Sequence, residues 1–183
     1  MGLLVGDMLL LARLDQGRPL ELAPLALDRL VDDAVRDARA VEPDRPIDLV
    51  ADPVTVGGDD DRLRQVVGNL LANARLHTPP GTPVHVSLRA AGDRVQLEVA
   101  DEGPGLEPDI AARVFERFFR GDPARTRASG GSGLGLSIVA AVAEAHGGRA
   151  SVDTAPGAGA RFVVELPLLT HTERIRTSVA SGT

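Results

Sequence analysis

The 183-residue sequence contains no cysteine, no tryptophan and no tyrosine, and phenylalanine occurs only four times. Without cysteine, the chain can form no disulfide, no thiolate nucleophile and no cysteine-ligated metal site. Its few aromatic rings and net charge of −6 also leave it without the stacking platforms and positive surface that nucleic-acid binders use. We therefore expect no nucleic-acid partner.

Long hydrophobic runs are absent as well. The most apolar stretch, residues 3–14, is interrupted by Gly6, Asp7 and Arg13 and is too short to span a bilayer. It also lacks the basic start and small-residue cleavage site of a signal peptide. With 43% hydrophobic and 25% charged residues, the chain is expected to form one globular domain with a short appendage and no membrane segment.

Apolar spacing and turn residues predict an alternation of strands and helices. In order, the predicted elements are a helix over 2–15, an extended segment over 21–27, a helix over 29–40, strands over 47–50 and 54–56, a helix over 59–77, strands over 84–90 and 94–100, helices over 107–119 and 134–146, and strands over 150–154 and 161–166. Pro24 confines the extended segment to a sheet edge, and Asp28 is the predicted N-cap of the second helix. This order predicts a two-layer α+β sandwich with helices covering one face of the sheet.

Two asparagines lie on the helix predicted over 59–77. Asn69 and Asn73 are four residues apart and share one face of that helix, with Gln65 before them and His77 after them on the same stripe. Amides on a helix otherwise suited to burial need partners, and a hard cation with phosphate oxygens is one possible set. Two solvated or capping asparagines are the alternative.

A carboxylate and two glycines follow the strand predicted over 94–100. Asp101 can accept a hydrogen bond from an exocyclic amine, and Gly103 and Gly105 let the backbone approach a flat base closely. An ordinary strand-to-helix turn, in which Asp and Gly are common, is the alternative.

A glycine-rich segment, residues 130–135, leads into the helix predicted over 134–146. Free backbone N–H groups at a helix N-terminus suit phosphate. The segment is not a dinucleotide fingerprint, because no strand directly precedes it, and it is not a Walker A loop, because no lysine follows. A flexible linker is the alternative.

Three of the four phenylalanines lie between these last two motifs, in residues 115–120. Phe115 is a predicted core residue. All 20 basic residues of the chain are arginines, so a phosphate-binding cation must be an arginine or a metal ion. Arg117 and Arg120 flank a polar loop over 120–133, predicted to be mobile, and could reach phosphates. A solvated basic loop is the alternative.

Taken in order, these motifs resemble the GHKL family of ATP-binding domains, and most closely those of bacterial sensor histidine kinases. LRQVVGNLLANA resembles the N box, DEGPG the G1 box, FERFFR the F box and GGSGLGLSIV the G2 box. The resemblance covers residues 20 to 167. It implies a Bergerat-type mixed sheet covered on one face by helices, binding ATP and Mg²⁺.

The resemblance also implies roles for individual residues. Asp101 would accept the adenine amino group, Asn73 would coordinate Mg²⁺ with Asn69 close by, and His77 would lie near the adenine. The full predicted ATP-binding set is Asn69, Asn73, His77, Asp101, Gly103, Gly105, Arg117, Arg120, Gly131, Gly133, Leu134, Gly135 and Leu136.

Two positions bear on the reaction. Relatives often have a basic residue where this chain has Leu76, and the neighbouring Arg75 lies on another side of the helix. The ATPase branches of the family use a Glu at the position of Asn69 to activate water, whereas an asparagine cannot act as a general base near neutral pH. The chain is therefore expected to hold ATP for transfer to an acceptor and to hydrolyse it poorly.

The acceptor expected from the resemblance is a histidine on the first of two dimerising helices. Residues 1–17 resemble the end of the second such helix, residues 18–168 the catalytic domain, and residues 169–183 a disordered tail. None of the four histidines has the sequence context of a phosphoacceptor, so no catalytic residue of that kind is expected in this chain.

The expected partners are histidine-phosphotransfer helices, with a homodimer as one arrangement, and a response regulator receiver domain. The expected location is the cytoplasm, whether or not the parent kinase is anchored in a membrane. Two alternatives are a Ser/Thr kinase of the anti-sigma-factor type and a nucleotide-binding module without kinase activity.

Overall fold

A computed structural model describes residues 2–15, 20–119 and 133–169. The helices are α1 (Gly2–Asp15), α2 (Leu27–Val41), α3 (Asp60–His77), α4 (Pro108–Ala111) and α5 (Gly135–Ala145), and the strands are β1 (Ala23–Ala26), β2 (Ile47–Ala51), β3 (Thr55–Gly58), β4 (Val84–Ala91), β5 (Arg94–Asp101), β6 (Arg149–Thr154) and β7 (Ala160–Pro167). The predicted loop over 120–133 and the predicted tail fall outside the described residues, apart from Gly133 and Leu169.

Five strands form one mixed sheet in the order β2-β4-β5-β7-β6. Strands β2 and β4 run parallel, and the other neighbouring pairs are antiparallel. Strands β1 and β3 form a separate antiparallel pair. The register places Asp101, the last residue of β5, opposite Val84 on one side and Ala160 on the other. The motif residue at this strand end therefore lies in the middle of the sheet and not at its edge.

The two faces of this sheet differ sharply, as the alternating strand sequences predict. On one face β4, β5 and β7 bury rows of apolar side chains: Val84, Val86, Leu88, Val95, Leu97, Val99, Phe162, Val164 and Leu166. The other face is polar, and there Arg161 bridges Glu98 and Asp153 while Glu165 pairs with Gln96 and Arg149. The predicted two-layer α+β sandwich, with helices on one face, is confirmed.

Helix α3 lies at the centre of the helical layer and packs on both α2 and α5. Asp59 caps its N-terminus by accepting from the Arg62 N–H at 3.2 Å, and Asp60 and Asp61 follow in the first turn, as its macrodipole favours. The helix buries the apolar stripe predicted for the core, Leu63, Val66, Val67, Leu70 and Leu71. The opposite stripe carries the two asparagines.

Helix α1 packs against α5. Leu10 and Leu11 are buried, whereas Val5, Met8 and Leu9 are exposed. The Gln65 side-chain amide donates to Asp7 Oδ1 at 3.1 Å. Within the described ranges, no helix combines the length and the apolarity needed to cross a bilayer.

Two local predictions are wrong. Helix α2 begins at Leu27, and its N-cap is Ala26 without a side-chain cap, because the Leu27 N–H is bonded to the Val54 carbonyl. Asp28 therefore lies in the first turn. The helix predicted over 107–119 is a single turn, α4, followed by tight turns. The Phe118 N–H bonds to the Gly133 carbonyl and the Phe118 φ is 59°, so the helical ladder cannot continue.

Candidate nucleotide site

Asn69 projects from α3 toward the start of α5. The Asn69 Nδ2 donates to the Gly135 carbonyl oxygen at 3.1 Å, which ties the asparagine motif to the glycine-rich motif across 66 residues. Asn73 is half-buried and has no hydrogen-bond partner within the described parts of the chain. Since buried amides normally find partners, a half-buried amide without one is available to a ligand or to water.

Asp101 is nearly buried, at 9% exposure, and its carboxylate is held in place. Its Oδ1 accepts from the Gly103 N–H at 2.9 Å. Burial raises the pKa of Asp101, and this effect is opposed by the backbone N–H groups of Gly103 and Ala160 and by the positive charge of Arg45. A desolvated carboxylate that remains an acceptor is suited to a neutral donor such as an amine.

Gly103 and Gly105 are needed at their positions for steric reasons. A Cβ on Gly103 would lie 2.5 Å from Thr78 Cγ2. Gly105 has a φ of +68°, and a Cβ there would collide with the Ala155 carbonyl oxygen. The loop after β5 therefore packs directly on the turn between β6 and β7.

His77 lies at the C-terminal end of α3 and interacts electrostatically with Asp101. Its side chain is exposed to solvent at the surface, yet surrounding protein atoms lower its pKa, while the Asp101 carboxylate acts in the opposite direction. A neutral imidazole beside this carboxylate presents a flat ring face.

The N-terminus of α5 has no side-chain cap. Leu134 occupies the N-cap position and is fully buried, and its carbonyl accepts from the Ile138 N–H and from Ser137 Oγ. Gly133 has a φ of +71° and packs against the Phe118 and Phe119 backbone. Leu136 is half-buried. Leu134 therefore supplies no side-chain acceptor to the first N–H groups of α5, which point along the helix axis toward its N-terminal side.

The phenylalanine-rich segment lies beside this helix start. Phe115 is partly buried and packs edge-on against Phe162, with ring centroids 6.3 Å apart. The Arg113 guanidinium lies 4.5 Å from the Phe119 ring centroid, an ordinary cation–π distance. Arg117 is exposed. Arg120 and Gly131 of the predicted ATP-binding set fall outside the described residues.

The described site fits a magnesium ion that arrives with a nucleotide. No group of three or more His, Asp or Glu side chains within the described ranges could hold a metal ion. Mg²⁺ prefers oxygen ligands and is commonly held by one or two protein groups together with phosphates and water. The side-chain oxygens of Asn73 and Asn69 meet that requirement.

Several residues of the site escaped the sequence analysis. Gly159 has a φ of +74°, and a Cβ there would collide with the Asp101 carbonyl oxygen. Thr154 accepts from the Leu106 N–H and donates to the Gly159 carbonyl. Thr78 and Arg45 lie beneath the same loop. The AGA sequence before β7 was a detectable turn signal, whereas the position of Arg45 between polar residues and prolines carried none.

Comparisons with known proteins identify the family of this chain. The family described as histidine kinase-, DNA gyrase B-, and HSP90-like ATPase matches residues 58–170. The chain is 52% identical over 167 residues to the probable sensor histidine kinase TcrY of Mycobacterium tuberculosis, an alignment that covers 90% of this chain and only 35% of that protein.

Two solved structures are similar as well. The mycobacterial sensor histidine kinase MprB is 34% identical, with a TM-score of 0.71, covering 80% of this chain and 98% of that one. Full-length ShkA in complex with AMPPNP is 34% identical, with a TM-score of 0.75, covering 90% of this chain and 35% of that one.

Proposed function

Because the chain belongs to the histidine kinase-, DNA gyrase B- and HSP90-like ATPase family, we propose that it is the Mg-ATP-binding catalytic part of a sensor histidine kinase. The observation that carries the proposal is that residues of α3 contact the glycine-rich motif at one place and the motif after β5 at another. Asn69 bonds to Gly135 at one end, and Asp101 and His77 interact at the other. One nucleotide can span these ends, with its base and its phosphates at opposite sides.

The base is assigned to Asp101. Backbone N–H groups of Gly103 and Ala160 hold the carboxylate, and its remaining lone pairs can accept from the exocyclic amine of adenine. The glycines at 103 and 105 keep side chains out of the space beside the ring, and His77 lies over it. A purine without that amine leaves a nearly buried carboxylate without one of its hydrogen-bond partners, which is unfavourable.

The phosphates are assigned to the glycine-rich start of α5, around Gly133, Leu134, Gly135 and Leu136. The hydrogen bond from Asn69 Nδ2 to Gly135 orients the Asn69 side-chain oxygen, and the Asn73 amide has no partner within the described residues. These two oxygens would hold Mg²⁺, which neutralises phosphate charge when bound. Arg117, Arg120 and Gly131 of the predicted set are assigned to phosphate binding from the sequence, and Arg120 and Gly131 lie outside the described residues.

The reaction is assigned as phosphoryl transfer and not hydrolysis. An amide at position 69 cannot remove a proton from water near neutral pH, so Asn69 binds and orients without activating a nucleophile. The acceptor is a histidine on a dimerising helix outside this chain, and the next acceptor is an aspartate of a response regulator receiver domain. Both steps are assigned to the cytoplasm, and α1 is assigned as the end of the second dimerising helix.

Titration of Mg-ATP into the wild type and into Asp101→Asn tests the site. The wild type should bind, and the variant should lose about 100-fold in affinity, because the amide replaces an ionised acceptor in a desolvated position. Asp93→Asn is the matched control, since Asp93 is an exposed carboxylate in the β4–β5 turn. Equal affinities for wild type and Asp101→Asn would reject the base assignment.

A nucleotide-binding module without transfer is the second candidate, and Leu76 favours it. This residue is half-buried on α3, at a position where relatives often have a basic residue that binds phosphate. Addition of a dimerising-helix fragment with an acceptor histidine, together with radiolabelled ATP, separates the candidates. Label on the fragment supports the kinase, and binding without labelling supports the module.

A further inference from the structure

A buried arginine lies beneath the base end of the site. Arg45 is 5% exposed, and the functional assignment above gives it no role. Its Nε donates to Glu42 Oε2 at 2.8 Å, and this contact lowers the pKa of Glu42. Since an isolated buried cation is very unfavourable, the guanidinium can be kept here only by a full set of partners.

Its remaining bonds converge on one segment, residues 78–82. Nη1 donates to Thr78 Oγ1 at 2.9 Å and to the Thr82 carbonyl at 2.8 Å, and Nη2 donates to the Pro79 carbonyl at 3.1 Å. The planar guanidinium therefore fixes three acceptors of this segment in one plane, which a flexible ammonium group could not do.

The same segment supports the loop that follows β5. The Thr78 hydroxyl also donates to the Ala74 carbonyl at 2.7 Å, so its methyl group has a fixed direction. That methyl packs against Gly103 so closely that no Cβ fits there. The Glu102 N–H bonds to the Pro83 carbonyl at 3.2 Å. Gly103 therefore rests on the segment that Arg45 holds, and Glu102 is bonded to the residue that directly follows this segment.

We propose that Arg45 is a positioning residue for base recognition: through Thr78 and residues 79–83, it sets the place of Gly103 and hence the direction of the Asp101 carboxylate. The proposal rests on the proposed function, in which Asp101 accepts from the adenine amine. Arg45 does not touch the base, and its effect on Asp101 is mechanical with a smaller electrostatic part.

Base preference is the measurement that separates positioning from general support of the fold. The probes are ATP and purine riboside triphosphate, which lacks the 6-amino group and otherwise matches ATP. Wild type should prefer ATP by about tenfold or more, the value of a hydrogen bond to a charged acceptor. Arg45→Met should reduce this preference to about twofold, with a smaller change in the affinity for purine riboside triphosphate.

Two further variants complete the design. Arg149→Met is the matched control, because Arg149 is exposed and paired with Glu165 on the polar sheet face, and it should keep the wild-type preference. Thr78→Val keeps the shape beside Gly103 and removes the hydroxyl that accepts from Arg45. It should lower the preference by about threefold. If circular dichroism shows that Arg45→Met is unfolded, Thr78→Val replaces it in the test.

The outcomes distinguish the assignment of the base to Asp101 from the role of Arg45. A wild type that binds both nucleotides equally would overturn the proposed base site itself. A wild type that prefers ATP, with the same preference in Arg45→Met and in Thr78→Val, would overturn only the role of Arg45. Loss of preference in these two variants and not in Arg149→Met supports it.

Discussion

The two parts of the proposed nucleotide site differ in how far they are formed before a ligand binds. At the base end, side chains are buried and bonded before any ligand arrives: Asp101 to Gly103, and Arg45 to Thr78 and its neighbours. At the phosphate end, the N-cap residue Leu134 supplies no side-chain cap to α5, and the Asn73 side chain has no partner within the described residues. A flat base needs a preformed, desolvated acceptor to be discriminated, whereas phosphate charge can be met by backbone dipoles and a cation brought with it.

The largest effect is expected where this preformed packing is broken. Gly105→Ala places a Cβ against the Ala155 carbonyl at a positive φ. It should lower the free energy of unfolding by about 3 kcal/mol or more, since the φ change alone costs about 1–2 kcal/mol. Thermal unfolding measures this loss.

Gly92→Ala is the control for Gly105→Ala. Its φ of +65° is nearly the same, and a Cβ there meets nothing within 4 Å. It should lose only the conformational part, about 1–2 kcal/mol. Equal losses in the two variants would show that the close packing of the loop on the β6–β7 turn does not matter.

A substitution at the phosphate end should separate affinity from stability. Asn73→Ala should weaken Mg-ATP binding by about tenfold through the loss of a metal ligand. It should change the free energy of unfolding by less than about 0.5 kcal/mol, because the amide has no partner within the described residues. Calorimetric titration with and without Mg²⁺, alongside thermal unfolding, provides both values.

Asn69→Ala is the comparison for Asn73→Ala. It removes the hydrogen bond to Gly135 and should lower stability by about 1 kcal/mol as well as affinity. If the Asn73→Ala loss of affinity were the same with and without Mg²⁺, the metal role assigned to Asn73 would be wrong.

A pH dependence is expected from His146. This residue follows the C-terminus of α5 and joins it to Asp59, at the N-terminus of α3. Its buried ring has Nδ1 at 2.7 Å from the Val142 carbonyl and Nε2 accepting from the Asp59 N–H at 3.1 Å, so the neutral Nδ1–H form fits. Burial lowers its pKa from 6.5. The unfolded chain therefore takes up the proton first, and stability falls as pH decreases below about 6.5, by at most about 1.4 kcal/mol per pH unit.

Urea unfolding between pH 7.5 and 5.5 measures this dependence. His146→Gln removes the titrating group and should be less dependent on pH over that range than the wild type. Parallel pH curves for the two proteins would assign the dependence to other groups. Because the pKa of His77 is also lowered, the variant His77→Gln measures the separate contribution of that residue.

The smallest effect is expected from adding charge near the C-terminal end of α3. Leu76→Arg should strengthen Mg-ATP binding by about two- to fivefold, the value of one partly solvated ion pair, and the gain should fall with added salt. Val50→Arg adds the same charge at an exposed position on the edge strand β2. An equal gain in both variants would indicate a general effect of net charge.

Much of the fold could be predicted from the sequence, because its helices and strands have clear periods. The apolar stripe of α3 and the alternation in β4 and β5 each reflect neighbours within one element, where spacing fixes the face. The prediction of a helix over 107–119 was wrong because the structure of this segment depends on a residue outside it. Its apolar spacing suits a helix, but the Phe118 N–H bonds to Gly133, and that partner lies outside the segment.

The sequence by itself determined the candidate residues for the chemistry: an amide pair one helical turn apart, a carboxylate at a strand end and glycines before a helix. These patterns are local, so spacing and residue type suffice to reveal them. Only the tertiary structure decided that Asn69 bonds to Gly135, that Gly159 packs on Asp101, and that Arg45 lies beneath residues 78–82. Such contacts join residues tens of positions apart, and they depend on how the sheet and helices pack, which no local pattern encodes.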